Sequence, residues 1–235
     1  ALNGRLTGDL LDEIVALLGL EDSDRFEDEN QTVRLAVVGM PNVGKSSLTN
    51  ALLKREQSIV TPIAGTTRDA IDSPLKWHGK DFTLVDTAGL RKLSKITDKI
   101  EYYSTVRSQK AIDQCDIALV LIDAEKGFGK QDKAIVDHVI EKGKGLIFVV
   151  NKWDLISKDT NTMKDFADEI RYQFKALNHY PILFISADTH QRIHKVLELA
   201  DQVYERSRNI ISARKLNDYL KQFVRKSPPP AEQGK

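Results

Sequence analysis

The chain has one cysteine, Cys115, two methionines, and no apolar stretch long enough to span a membrane. A lone cysteine excludes an internal disulfide and suits a reducing compartment, so a cytoplasmic protein is expected. A bilayer-crossing helix requires about 18–20 mostly apolar residues in a row, and none is present. No secretory leader is visible, and a chain that opens on Ala1 rather than Met is expected to be a piece of something longer. Hydrophobic residues are somewhat scarce at 41%, and charged residues somewhat abundant at 29%. Wholesale disorder is nevertheless excluded, because apolar runs such as Leu35–Val38 and Leu146–Val150 recur at domain-like intervals.

Lys and Arg total 35 against 34 Asp and Glu over 235 residues, but the balance is uneven along the chain. Residues 1–30 carry two basic and nine acidic side chains; residues 206–235 carry eight basic and two acidic ones. Opposite charge at the two ends suggests separate jobs. Leu10, Leu11, Ile14, Leu17 and Leu18 have helical spacing, and 21–30 read as an acidic linker.

From Val33 the pattern becomes strands alternating with helices. Strands are expected at Val33–Gly39, Ile71–Trp77, Asp81–Asp86, Ile117–Asp123, Leu146–Asn151 and Ile182–Ser186, with a turn at His78-Gly79-Lys80. Helices are expected at Lys45–Leu53, Lys99–Gln114, Lys130–Lys142, Thr162–Ala176 and Gln191–Arg206, and Ser58–Asp69 reads as a Gly/Pro/Thr-rich loop. Runs such as LIFVVN and IALVLID suit parallel strands covered on both faces. The fold expected is therefore a three-layer α/β sheet, six-stranded and mostly parallel, with ligand sites at the carboxyl ends of its strands. Ile211, Leu216, Tyr219, Leu220, Phe223 and Val224 outline one more amphipathic helix, closed by Pro228-Pro229-Pro230. It reads as the first element of a domain that this chain does not complete.

The strongest chemical signal is Gly39-Met40-Pro41-Asn42-Val43-Gly44-Lys45-Ser46 between an expected strand and an expected helix. It fits the phosphate-loop pattern, in which glycines let successive N–H groups converge on a polyphosphate and the helix N-terminus adds a favourable field. Ser47 continues that turn. Lys45 would supply a point charge to the outer phosphates and Ser46 a hydroxyl ligand for Mg²⁺. Asp86-Thr87-Ala88-Gly89 follows the third strand: Asp86 suits Mg²⁺ through its water shell, and Gly89 can offer an unhindered N–H to a terminal phosphate. Thr66-Thr67, in the loop between, would close over the nucleotide and ligate Mg²⁺. Asn151-Lys152-Trp153-Asp154 follows the most apolar strand. The Asp154 carboxylate can accept two hydrogen bonds from the N1–H and N2–H₂ edge of guanine, a pair that adenine does not offer. Asn151 suits N7 and the pocket wall, the Lys152 stem can lie along the base, and Ser186-Ala187 would bring a backbone N–H toward O6.

These five elements, in this order over residues 33–206, resemble the GTPase class of phosphate-loop proteins. GMPNVGKSS, PIAGTTRDAID, DTAGLRK, NKWD and the SPPP tail resemble the second GTPase domain of the tandem-GTPase EngA (Der) family. The resemblance implies GTP binding and hydrolysis, a role as a switch in assembly of the large ribosomal subunit, and ribosomal particles and rRNA as partners. It divides the chain into the last helix of a preceding GTPase domain (1–18), a linker (19–31), a GTPase domain (32–206) and the opening helix of a KH-like domain (207–235). A weak internal repeat, superposing Leu10, Leu11 and Ile14 on Val196, Leu197 and Ala200, agrees with that division. The chain departs from the family at Met40, at Asp188, and at His190, where Gly is usual.

Many GTPases orient the attacking water with a Gln after the Asp-x-x-Gly glycine. Here the residue is Leu90, which makes no hydrogen bond. The resemblance implies a substitute, K⁺ held by the Asn42 side chain and carbonyls before Thr66. Arg68 as a finger in cis is the alternative. Because of Leu90, a regulatory GTP-binding module with negligible hydrolysis is the rival expectation; a stand-alone Ras-like GTPase is opposed by the remnants at both ends. His190, His194 and Glu198 share helical spacing for a metal, without a fourth ligand, and a solvated face is the plainer reading. Cys115 is expected to be packed rather than reactive, Trp77 and Trp153 to be wall or core, and the basic tail to touch RNA phosphates or simply solvent.

Overall fold

The computed structural model describes residues 32–56, 72–87, 100–157, 159, 161–173, 179–209 and 211–226. The expected helix within 1–18, the linker, Thr66, Thr67, Arg68, Ala88, Gly89, Leu90 and the proline run lie outside the described residues. In chain order, the elements are β1 (Val33–Gly39), α1 (Lys45–Glu56), β2 (Ser73–Trp77), β3 (Lys80–Leu84), α2 (Ile100–Gln114) and β4 (Ile117–Asp123). They continue with α3 (Lys130–Glu141), β5 (Gly145–Asn151), α4 (Thr162–Gln173), β6 (Ile182–Phe184), α5 (His194–Ser207) and α6 (Ala213–Lys226). No helix among the described residues is long and apolar enough to cross a membrane.

The strands form one six-stranded sheet in the order β2-β3-β1-β4-β5-β6, antiparallel only between β2 and β3. Period-2 alternation sends side chains to two separate cores. Leu35, Val37, Leu119, Leu121, Ile147 and Val149 face Leu48 and Leu52 of α1 and Val196 and Leu197 of α5. Ala36, Val38, Val120, Ile122, Phe148 and Val150 face Ile112 of α2, Val136 and Val139 of α3, and Ile170 of α4. Burial on both faces is why β4 and β5 carry continuous apolar runs instead of alternation. The three-layer expectation is met.

Several boundaries differ from expectation, each for a local reason. The β2–β3 turn is two residues, His78 and Gly79 at φ 48° and 80°, so Lys80 already pairs with Trp77. β3 stops at Leu84 because Asp86 takes a left-handed φ of 54°. β6 stops at Phe184, and Ser186 turns instead to pair with Gln191. α5 begins at His194, because His190 and Arg192, at φ 57° and 58°, cannot continue a right-handed helix. His190 therefore lies in a turn, and the helical spacing that would have grouped it with His194 and Glu198 does not apply to it.

The connections decide where the site lies. From β1 the chain passes to β2 and β3 on one side, then crosses to β4 on the other. That reversal opens a crevice beyond the carboxyl ends of β1 and β4. Gly39 ends β1 there, beside Leu121, at φ 144°; a Cβ on it would lie 2.5 Å from the Leu121 carbonyl oxygen.

One compact unit runs Asn30–Ser207; α6 belongs to the other. Leu216, Tyr219, Leu220, Phe223 and Val224 of α6 are exposed, and none of its residues is buried.

Three outcomes are expected. Gly39→Ala combines backbone strain with a backbone collision and should cost about 2–4 kcal/mol in urea unfolding. Gly127→Ala, at φ 69° with nothing within 4 Å of the added carbon, should cost about 1 kcal/mol. Cys115 is buried, and that burial pushes its thiol up to about 12. It should resist iodoacetamide at pH 8 in the native protein and react once the chain is unfolded in urea.

Candidate nucleotide-binding site

The loop joining β1 to α1 curls because Asn42 and Gly44 take left-handed φ values of 63° and 95°. Asn is among the few residues with a side chain that tolerate that region, so the loop geometry alone favours Asn at 42. Its side chain is exposed, as Val43 turns inward and is buried. Pro41 and Met40 are half-buried, and Met40 packs against the first core. Ser46 and Ser47 occupy the first turn of α1, whose Leu48 N–H bonds the Gly44 carbonyl at 2.9 Å.

Lys45 folds back over the loop, its Nζ donating to the carbonyls of Gly39 at 2.9 Å and Met40 at 2.6 Å. Burial pushes its ammonium down to about 8, partly offset by the charge of Asp132. Burial in turn raises the Asp132 carboxyl, whose Oδ2 accepts the Gly129 N–H at the start of α3. A largely desolvated ammonium bonded, among the described residues, to neutral carbonyls is matched to an incoming anion, since a phosphate oxygen would restore the charge stabilisation that desolvation removed.

The centre of the site is Asn151, 2% exposed at the end of β5. Its Nδ2 donates to the Val43 carbonyl at 2.9 Å, and its Oδ1 accepts the Ala187 N–H at 2.9 Å. One amide thus ties the phosphate loop to the segment after β6. The approach is close: a Cβ on Gly44 would lie 2.1 Å from that Nδ2. The carboxamide has a second N–H beyond the one given to Val43, and of the backbone N–H groups of Ser186-Ala187, that of Ala187 is the one bonded to Asn151. Ser186 is fully buried and accepts the Thr189 N–H at 3.1 Å, which shapes the 186–191 turn.

Lys152 stands at φ 61° and gives its ammonium to Asp123 Oδ2 at 2.7 Å. Asp123, 2% exposed, also caps the Glu125 N–H at 3.0 Å. The far end of the Lys152 stem is thereby anchored on β4. Trp153 is 1% exposed, its ring lying against Phe184 and Phe166 and its backbone N–H donating to the Ile185 carbonyl. It is core, and it pins the turn from which the exposed Asp154 projects. Trp77 is half-buried against the first core.

Asp86 follows β3, the parallel neighbour of β1, so it emerges at the same end of the sheet as Ser46. A serine hydroxyl and a carboxylate are hard oxygen donors, a set that fits Mg²⁺. The Asp86 N–H donates to Asp72 Oδ1 at 3.0 Å, and Thr87 Oγ1 shares a hydrogen bond with Ser73 Oγ at 2.7 Å. Asp72 and Asp123 were not among the residues that the sequence reading assigned to the site. For Asp123 the signal was available: a carboxylate closing a strand that is otherwise wholly apolar.

Asn151→Ala should cost about 2–4 kcal/mol in urea unfolding without added nucleotide, since it leaves the Val43 carbonyl and Ala187 N–H unpaired in the interior. His190→Gly, by contrast, should raise stability by about 0.5–1 kcal/mol, because His190 is exposed and held at a φ that glycine adopts freely.

The chain is similar to GTPase Der of Desulforamulus reducens, 48% identical over 232 residues, 99% of this chain and 52% of that protein. GTPase Der of a Thermoanaerobacter species is 47% identical over all 235 residues and 53% of its own length. The chain thus spans about half the length of these relatives. Among solved structures, Era in complex with MgGDPNP and 16S ribosomal RNA nucleotides is 26% identical at a TM-score of 0.54, covering 72% of this chain and 56% of that one. Elongation factor SelB of Methanococcus maripaludis, in complex with the GTP analogue GppNHp, shares the fold at a TM-score of 0.58 and 20% identity, over 77% of this chain and 35% of that one. The profile of one family, described as 50S ribosome-binding GTPase, matches residues 34–152, and the chain belongs to that family.

Proposed function

We propose that this chain binds GTP and hydrolyses it to GDP and phosphate, and that the full protein uses this as a switch in assembly of the large ribosomal subunit. The observation that carries the reading is the Asn151 amide, which joins the phosphate loop to the base-recognising segments as parts of one site. The resemblance to GTPase Der and membership of a 50S ribosome-binding family support the ribosomal role. Ribosomal particles and rRNA are the partners on this reading, together with a preceding GTPase domain and a KH-like domain in the same polypeptide. The division at 1–18, 19–31, 32–206 and 207–235 is part of the same proposal, as is a cytoplasmic location.

In this reading Gly39, Pro41, Asn42, Val43, Gly44, Lys45, Ser46 and Ser47 hold the phosphates, and Asn151, Lys152, Asp154, Ser186 and Ala187 hold guanine. Ser46, Thr67 and Asp86 hold Mg²⁺, and Gly89 receives the γ-phosphate. Mg²⁺ would neutralise charge shared between the phosphates; the chain's part is to align the phosphates and keep Lys45 on the outer ones. Asp154→Ala should raise the Kd for GDP by about a hundredfold, the effect of losing a two-bond charged contact, while leaving the weak affinity for ADP unchanged. Isothermal titration with both nucleotides reads this directly.

With Leu90 unable to orient the attacking water, K⁺ at Asn42 would assist instead by neutralising the charge that develops on the phosphates. Hydrolysis should therefore be faster in K⁺ than in Na⁺. Asn42→Gly should abolish the difference, and because glycine accepts a φ of 63° without strain, the loop should keep its shape. Equal single-turnover rates in the two salts would remove K⁺ from the mechanism. A rate that stays negligible in K⁺, with and without ribosomal particles, would favour a regulatory module that binds GTP without consuming it.

A further inference from the structure

We propose that Asp72 is a positioning residue that holds the backbone of Asp86, and so sets how the Asp86 carboxylate is offered to a divalent cation. The inference rests on the reading of Asp86 as a cation-holding residue and adds to it a residue that is not itself a ligand.

Asp86 stands at φ 54°, a left-handed conformation that Asp tolerates better than most residues with a side chain but that still needs a contact to hold it. That contact is visible. Asp86 donates its N–H to Asp72 Oδ1 at 3.0 Å. The other oxygen, Asp72 Oδ2, accepts from Arg34 Nη2 at 3.2 Å, so the carboxylate is held from both sides. The Arg34 backbone is fixed, as a residue of β1 whose main-chain N–H donates to Asp116 Oδ2 at 2.9 Å. One residue further on, Ser73 Oγ and Thr87 Oγ1 make the second link at 2.7 Å, with Thr87 buried.

These two consecutive links lie at the open end of the β2–β3 hairpin, whose last ladder pair is Ser73 with Leu84. They tie the start of β2 to the residues just after β3 across a gap that the ladder leaves unbridged. The Asp86 N–H has a charged acceptor, and a charge-assisted bond holds direction better than a neutral one. With that acceptor gone, nothing in the pair of links restores the left-handed twist of Asp86, and its carboxylate loses its fixed aim.

The test titrates Mg²⁺ into the full 235-residue chain loaded with fluorescent mant-GDP and reads the concentration that half-maximally slows nucleotide release. Asp72→Ala should raise that midpoint about tenfold, the effect of losing one charge-assisted hydrogen bond. Asp72→Asn, which keeps a neutral acceptor at the same place, should recover about half of the loss on a logarithmic scale. Affinity in EDTA and the melting temperature without nucleotide should change little, because Asp72 and Arg34 are partly exposed. Asp86→Ala fixes the scale. If Asp86→Ala leaves the midpoint unmoved, the cation reading itself is wrong. If Asp86→Ala moves it and Asp72→Ala does not, the cation reading stands and the role given to Asp72 is overturned. Equal shifts for Asp72→Ala and Asp72→Asn, or a shift matched by equal losses in EDTA, would overturn it as well.

Discussion

The site depends on one buried amide. Asn151 ends a strand buried along nearly its whole length, and its carboxamide bridges a carbonyl of the phosphate loop and an N–H of the segment after β6. A buried amide must satisfy its donors and acceptor, and here each satisfied bond fixes a different loop. The phosphate end and the base end are therefore not independent features that happen to adjoin. Gly44 is small for the same reason: the loop approaches Asn151 so closely that a methyl group would overlap its nitrogen.

Around this bridge, the rigid parts are supplied by the sheet and the adjustable ones by the segments leaving it. Trp153 fills the second core against Phe166 and Phe184, so the turn that presents Asp154 is anchored by packing as well as by backbone bonds. Asp123 extends the same logic, pairing with Lys152 from the neighbouring strand. On the other side of β1, Asp72 and Ser73 tie the start of β2 to Asp86 and Thr87. Asn151, Lys152 and Asp86 are thus each held by a partner on another element at the carboxyl edge of the sheet.

Much of this was legible in the residues. The apolar runs that become β1, β4 and β5 announce double-sided burial because no other environment accommodates so many consecutive Val, Ile and Leu. The phosphate loop is legible because its glycines and lysine answer a local requirement, satisfied within eight residues. Strand ends were less legible: β3 and β6 were expected to run on to Asp86 and Ser186. What stops them is left-handed backbone at Asp86 and the pairing of Ser186 with Gln191, neither of which follows from hydropathy. The grouping of His190 with His194 and Glu198 fails for a similar reason. Spacing of four implies a shared face only inside a helix, and His190 lies in the turn before it.

By itself, the sequence determined the class of the fold, the motifs and their order, because these rest on periodicity and on short-range chemistry. Only the tertiary structure decided which side chains meet. That Asn151 reaches Val43 across 108 positions, that Lys152 anchors on Asp123, and that Asp72 holds Asp86 are consequences of strand order and register. Strand order follows from how crossovers pack on the sheet, a property of the whole chain that no local stretch encodes.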